Sequence, residues 1–213
     1  YRFIGYYTDS ADIAKSPKPS QQPYPGDLKY ADLNNDGRID GFDQEVTGYS
    51  NVPNTTYGFQ IGVSFKGFSI NTFFQGAMNF NVRAVAEAIR PFSSNLQEIH
   101  KYSWTPELGN NARFPRLSLL SGPSDALAYP STFYFISGNY LRLKTAEIAY
   151  TVPQKWIKRL KVDNIRIYSN GYNLITWTKL DKLYEFDPEI STNTDRTIYP
   201  PQRTVNFGIS ITF

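Results

Sequence analysis

Between Thr56 and Met78 large apolar and small polar side chains take turns with a period of two, and this pattern leaves few ways to fold. Phe59, Ile61, Val63 and Phe65 alternate with Gln60, Gly62, Ser64 and Lys66; after Lys66-Gly67, Phe68, Ile70 and Phe74 alternate with Ser69, Asn71 and Gln75. Successive side chains of a strand point to opposite faces, whereas a helix would scatter these residues around its axis. Two such runs around a Gly-containing pair predict a β-hairpin. Phe73 breaks the alternation, so one face is not purely polar. The cleanest repeat comes at the end, where Val205, Phe207, Ile209, Ile211 and Phe213 oppose Thr204, Asn206, Gly208, Ser210 and Thr212. Tyr1–Tyr7, Gly138–Val152 and Val162–Trp177 read as further strands with less regular patterns, giving about six in all.

Bulk composition narrows the choice of solvent for these strands. The chain holds 16 Tyr and 15 Phe among 213 residues, yet its apolar total is only 40 %, below the roughly 45–50 % of an average globular chain. Large rings without overall hydrophobicity suit an outer-membrane barrel with aromatic girdles. They suit a soluble sugar-binding β-sandwich equally well. No run approaches the roughly 18 apolar residues of a spanning helix, so any bilayer contact must be made by strands. Six strands are fewer than the about eight of the smallest membrane barrels, and an open edge in hydrocarbon is costly. The membrane reading therefore expects further strands before Tyr1. Tyr1–Tyr7 also lacks the layout of a leader peptide, and the sequence is expected to be a piece of a longer chain.

Other classes find little support. A net charge of +3 with scattered Lys and Arg gives no basic stripe for nucleic acid. The absence of Cys removes disulfides, thiolate metal sites and Cys nucleophiles. Ala11–Gly26 is Pro-rich and reads as an exposed loop. Asn79–Phe135 reads as long and irregular, with one short helix expected over Val82–Arg90 and stopped by Pro91. Long loops on one side and short turns on the other are a property of large barrels.

The acidic segment Asp27–Asp43 contains the strongest site motif. Asp32-Leu33-Asn34-Asn35-Asp36-Gly37-Arg38-Ile39-Asp40-Gly41-Phe42-Asp43 has the spacing of a calcium loop. Asp32, Asn34 and Asp36 supply oxygens at positions one, three and five, with Gly37 at the sharp turn. Arg38 would give its carbonyl, Asp40 a direct or water-mediated oxygen, and Asp43 the last carboxylate, where the longer Glu is usual. No flanking helices are evident, so a structural Ca²⁺ is expected rather than an EF-hand domain. The alternative is an Asp/Asn turn held by its own side-chain-to-backbone bonds.

Catalysis is not expected. His100 is the one histidine, and no nucleophile-elbow sequence accompanies it. Asp187 and Glu189, near Tyr184 and Phe186, could be imagined as a glycosidase pair, but Asp-Pro is a turn initiator. Trp104, Trp156 and Trp177 suit sugar stacking or an interfacial belt.

Several blocks, in order, resemble the C-terminal region of the SusC/RagA family of TonB-linked outer-membrane transporters. Pro25-Gly26-Asp27 with the segment from Tyr30 to Asp40 is similar to that family's PGD…DxNxDGxID. Thr56-Tyr57-Gly58-Phe59 and Phe65-Lys66-Gly67-Phe68 resemble its YGF and YKGF hairpin; Trp104-Thr105-Pro106 and Phe114-Pro115-Arg116 resemble its WTP…YPR loop. Asn139–Lys144 through Tyr150–Pro153 resembles YLRLKN…GYTLP. Asn173–Lys179 and Phe186–Glu189 resemble NLFTWTKY…YDPE, and Pro201–Thr204 with Phe213 resembles the last strand. The resemblance covers about Pro25 to Phe213. It implies an all-β fold: the last antiparallel strands of a transmembrane barrel of about 22 strands, with long extracellular loops. Residues 1–213 would then be barrel, 27–43 a calcium-loop-like insertion, and the plug domain would lie outside this sequence. It further implies residence in the bacterial outer membrane among its lipids, and import of oligosaccharides or peptides. Its implied partners are TonB, reached through other parts, and a SusD-like surface lipoprotein. Phe213 would belong to the membrane-assembly signal. A soluble calcium-stabilised carbohydrate-binding β-sandwich is the alternative from a different class.

Overall fold

The computed structural model describes residues 1–46, 48–83, 92, 96, 98–119, 122–180, 187–189 and 201–213. In chain order its elements are β1 (Phe3–Tyr6), α1 (Ser10–Lys15), β2 (Lys18–Pro19), β3 (Leu28–Tyr30), β4 (Arg38–Ile39), β5 (Thr55–Phe65), β6 (Phe68–Met78) and β7 (Asn81–Arg83). They continue with β8 (Phe135–Ser137), β9 (Tyr140–Thr151), α2 (Gln154–Ile157), β10 (Asn164–Thr178) and β11 (Thr204–Thr212), with short 3-10 turns between them. They divide into two units: Tyr1–Val52, Asn81–Ser137 and Leu180–Ile198 form one, and Pro53–Phe80, Gly138–Lys179 and Tyr199–Phe213 the other.

The second unit is a single antiparallel sheet in the order β11-β10-β9-β6-β5. Its hairpin forms where the alternation places it, with Phe65 opposite Phe68 and Thr55 opposite Met78. Lys66 and Gly67 both have positive φ, at 48° and 88°, the pair of angles that lets a two-residue turn match the strand twist. Five strands lie in this sheet rather than about six, because β1 pairs with β3 in the first unit. The imperfect alternation of 138–152 has a local cause. Between Phe73 and Phe74 the register of β6 on β9 shifts, with Thr145 opposite Phe73 but Leu143 opposite Phe74; the extra residue in β9 moves the outward set from Leu141 and Leu143 to Ala146, Ile148 and Tyr150. The register of β10 on β9 shifts between Tyr172 and Ile175, where Asn173 has φ 52°, and Ile167 and Trp177 stay on one face.

The first unit gathers segments far apart in the chain around aromatic rings. Tyr6, Leu28, Tyr30, Ile39, Ala126, Tyr129 and Tyr134 form its core, with Phe3 and Phe133 packed against it. Tyr30 stacks on Tyr129 at a centroid distance of 5.6 Å. Buried phenols need partners. Tyr134 donates to the Ser124 carbonyl at 2.6 Å, Tyr6 to that of Ala112 at 3.1 Å, and Tyr30 to that of Pro123.

Two loop expectations are corrected here. Part of Ala11–Gly26 is helical: Asp9 caps α1 by accepting from the Asp12 amide at 2.8 Å, and Lys15 closes its last turn. Such a cap outweighs the Pro-rich stretch that follows it. Of the helix expected over Val82–Arg90, Val82 and Arg83 instead pair as β7 with Ile136 and Phe135 of β8. The remainder of that stretch lies outside the described residues.

Candidate functional site

Register converts the alternation into two chemically different faces. Directly opposed residues of neighbouring strands share a face. One row runs Val63, Ile70, Ile148, Ser169, Phe207; the next runs Phe65, Phe68, Tyr150, Ile167, Ile209. A third, toward the far ends of the strands, runs Tyr57, Gly76, Leu141, Trp177. This face is apolar across all five strands and open, with Phe207 84 % exposed.

The other face is polar. One row there is Gly62, Asn71, Glu147, Asn170, Asn206. Arg166 pairs with Glu147, and Asn206 donates to Asn170 Oδ1 at 3.0 Å. Farther along, Arg142 is only 1 % exposed and donates from Nε to Thr176 Oγ1 at 2.9 Å. Phe73, which interrupts the polar set, lies over Gly58, where an added Cβ would sit 3.2 Å from its ring. A soluble sandwich would bury the apolar face beneath a second sheet. Among the described residues no second sheet covers it, and the apolar-out, polar-in arrangement is that of a membrane barrel wall.

The loop over 32–43 closes largely on its own backbone. Asp32 Oδ1 and Asn34 Oδ1 both accept from the Asp36 amide, at 3.3 and 3.1 Å, and Asp32 Oδ2 accepts from that of Gly37 at 2.8 Å. Asp36 Oδ1 accepts from the Arg38 amide at 2.8 Å, and Asp40 Oδ1 from that of Phe42 at 2.9 Å. Asp43 is fully buried, its carboxylate accepting from the Leu33 amide at 2.7 Å and that of Asp40 at 2.9 Å. Asp40 and Asp43 thereby form a reciprocal capping box around the 3-10 turn Gly41–Asp43. Asp32, Asn34 and Asp36 converge on one turn near the surface, whereas Asp43 faces inward. Among the described residues no three acidic or histidine side chains gather closely enough to hold a metal ion.

Sequence reasoning missed that the PGD, WTP and FPR blocks meet. Gly26 has φ 89°, and a Cβ there would lie 2.5 Å from the Trp104 ring. The Arg116 amide donates to the Gly26 carbonyl at 3.0 Å, and Arg116 Nε to Asp27 Oδ1 at 3.0 Å. The Arg116 guanidinium also lies 4.7 Å from the centroid of the Tyr24 ring. No periodicity links blocks nearly ninety residues apart. The signal was only that each block pairs a turn former with a large or charged side chain.

Three other candidates are placed as follows. His100 is buried edge-on against Phe114, at 4.9 Å, in the 3-10 turn Glu98–Tyr102. Asp187 Oδ1 accepts from the Glu189 amide at 2.9 Å, which is turn geometry; Tyr184 and Phe186 lie outside the described residues. Of the tryptophans, Trp104 is packed in the first unit, Trp177 stands on the apolar face, and Trp156 lies in the connection from β9 to β10.

The second unit is thus a single antiparallel sheet with one apolar and one polar face, and the class its fold defines is a segment of membrane β-barrel wall. Comparison with known proteins makes this specific. The whole chain aligns with two TonB-dependent receptors of Formosa agariphila, P26 at 29 % identity and P3 at 26 %, and spans 22 % of the length of each. Its fold matches structures of the RagAB peptide transporter and of the RagAB peptide importer in its open-open state, with TM-scores of 0.69 and 0.68 at 21 % identity. In both cases it covers all of this chain and 22 % of the other. No protein-family model matches. The resemblance to the barrel region of SusC/RagA-type, TonB-linked transporters is borne out, and with it the mostly-strand, antiparallel fold of a barrel segment. The proteins it resembles are TonB-dependent receptors and a peptide importer, not enzymes.

Proposed function

We propose that the chain forms wall and loops of a TonB-dependent importer in the bacterial outer membrane, which takes up oligosaccharides or peptides beneath a SusD-like lipoprotein lid. The carrying observation is the two-faced sheet, whose apolar rows suit lipid and whose polar rows suit a water-filled lumen. Similarity along the whole of this chain to 22 % of each TonB-dependent receptor supports the same reading. Closure of the barrel would be completed by strands pairing with the outer edges of β5 and β11. Peptide as a cargo is supported by the likeness in fold to the RagAB peptide importer, and the lid by the resemblance of the ordered blocks to the SusC/RagA family.

The reading is tested on protein extracted in detergent from outer membranes of its source. Recovery in the outer-membrane fraction with a surface lipoprotein, and loss of uptake of labelled oligosaccharide or peptide on deleting the gene, are expected. Recovery from the soluble fraction, or uptake unchanged for both cargoes, would overturn it.

A structural Ca²⁺ at the 32–43 loop belongs to the same proposal. Asp32, Asn34 and Asp36 already share one turn at the surface, and each oxygen bonded to a peptide N–H keeps a second lone pair for a cation. The Arg38 carbonyl and Asp40 would complete the set, with buried Asp43 bracing the loop.

A further inference from the structure

Strands β9 and β10 are joined at the end of the sheet that also carries the Lys66-Gly67 turn and the close of β11. The Thr151 amide donates to the Gly67 carbonyl at 2.8 Å, and that of Asp163 to the Thr212 carbonyl at 2.8 Å. The connection runs through α2 and a 3-10 turn over Lys158–Leu160, and Lys161 ends it in the left-handed region. Its composition is unusual for this chain. Lys155, Lys158, Arg159 and Lys161 fall within seven residues, and Asp163 is the one acid between Val152 and Asn164. All four cations are exposed, and none is in an ion pair with a described residue. Lys66 adds a fifth at the same end, its Nζ 5.1 Å from the Phe65 ring centroid.

Between those cations Trp156 and Leu160 are each 63 % exposed, while Ile157 is buried and anchors the turn. A soluble surface gains nothing by showing an indole and a leucine amid unpaired cations. A membrane interface does: indole prefers the headgroup level, and lysine and arginine there attract anionic lipid. The apolar face of the sheet leads into this turn through Phe65, Phe68 and Tyr150.

We infer that residues 154–161 form a headgroup-binding collar that selects anionic phospholipid in the leaflet at the short-turn end of the barrel. Trp156 and Leu160 enter the interface, and the four cations and Lys66 hold the phosphate diesters. The inference rests on the barrel reading above.

The test uses the full protein as extracted from its membrane, reconstituted with brominated phosphatidylglycerol or brominated phosphatidylcholine, which quench nearby tryptophan. The contributions of Trp156 and Trp177 are isolated by difference with Trp156→Phe and Trp177→Phe. Trp177 is expected to be quenched alike by both lipids, and Trp156 with about tenfold preference for phosphatidylglycerol. The preference should fall toward parity in high salt and in a variant carrying Gln at 155, 158, 159 and 161. The salt series on the unaltered protein stands even if that variant does not assemble. Equal quenching of Trp156 by both lipids, or none while Trp177 is quenched, overturns the collar and leaves the wall intact. Cross-linking of the turn to a periplasmic protein or to cell-wall polymer, with no lipid preference, also overturns it. Failure to quench either tryptophan would overturn the barrel reading itself.

Discussion

Arg116 Nε donates to Asp27 Oδ1 at 3.0 Å, joining residues eighty-nine positions apart through a carboxylate that is almost wholly buried. Ser124 Oγ donates to the same oxygen at 3.0 Å, and the Tyr24 amide to the other at 2.8 Å. Removing Asp27 leaves the Tyr24 amide and one donor each of Arg116 and Ser124 without that acceptor. Asp27→Ala is expected to destabilise the first unit by about 2–4 kcal/mol, somewhat under the full buried-pair range because Arg116 keeps some access to water. Limited proteolysis should then cut among residues 1–52 and 98–137 well before the sheet. A proteolysis pattern like that of the unaltered protein would show that the clasp contributes little.

Adjacent residues at one depth of β11 provide a test of sidedness. Phe207→Arg places a charge on the apolar row, where a cation near mid-membrane costs about 2–4 kcal/mol. Asn206→Arg places it on the polar row with Glu147 and Asn170. The first is expected to deplete the heat-modifiable folded band in the membrane, and the second to leave it near normal. Equal effects would contradict the assignment of faces.

Phe213 is 86 % exposed just beyond β11. Phe213→Ser is expected to lower the amount of protein assembled in the outer membrane without changing the melting behaviour of what does assemble. The two quantities are read from one fractionation gel run with and without heating.

The 32–43 loop separates a bracing residue from the proposed surface ligands. Asp43→Ala leaves the Leu33 and Asp40 amides without their acceptor, at about 1–3 kcal/mol. Its effect should appear with or without calcium. Asp36→Ala should matter chiefly to the ion, abolishing terbium luminescence sensitised by nearby aromatic rings and displaced by Ca²⁺. No terbium signal from the unaltered protein would leave the loop as an Asx turn alone.

Two groups in the first unit make its stability depend on pH at both extremes. Burial pushes the Tyr7 phenol up to about 12 from an ordinary 10.0. The fold favours the neutral form, so that contribution is complete below pH 10 and is lost as pH rises toward 12. Asp12 is held below its ordinary 3.8, first by its hydrogen bond from Lys29. It favours the charged form, and its contribution is present above that value and lost as pH falls below it. Denaturation midpoints of the first unit should therefore fall off in strong alkali and in strong acid. Lys29→Met should flatten the acid limb more than the alkaline one, where its ammonium lies 5.7 Å from the centroid of the Tyr7 ring.

How much of this was legible beforehand can be seen residue by residue. The hairpin 55–78 and β11 follow from period-two alternation, because a strand with one buried or lipid-facing side must repeat every second residue. The Asp43 cap and the Lys66-Gly67 turn are likewise local chemistry, written within a dozen residues. The ordered blocks from Pro25 to Phe213 pointed to the transporter family on sequence alone. Tertiary structure alone decided that β1 leaves the wall to pair with β3, and that Gly26, Trp104 and Arg116 share one contact. It also decided that Tyr6, read as part of a strand, joins Tyr30, Tyr129 and Tyr134, from stretches that read as turn or loop, in one core. Those outcomes depend on contacts between residues roughly twenty-five to more than a hundred positions apart, and no local period encodes them: which distant ring or carboxylate meets which is settled only when the chain closes and burial selects the partners that satisfy one another.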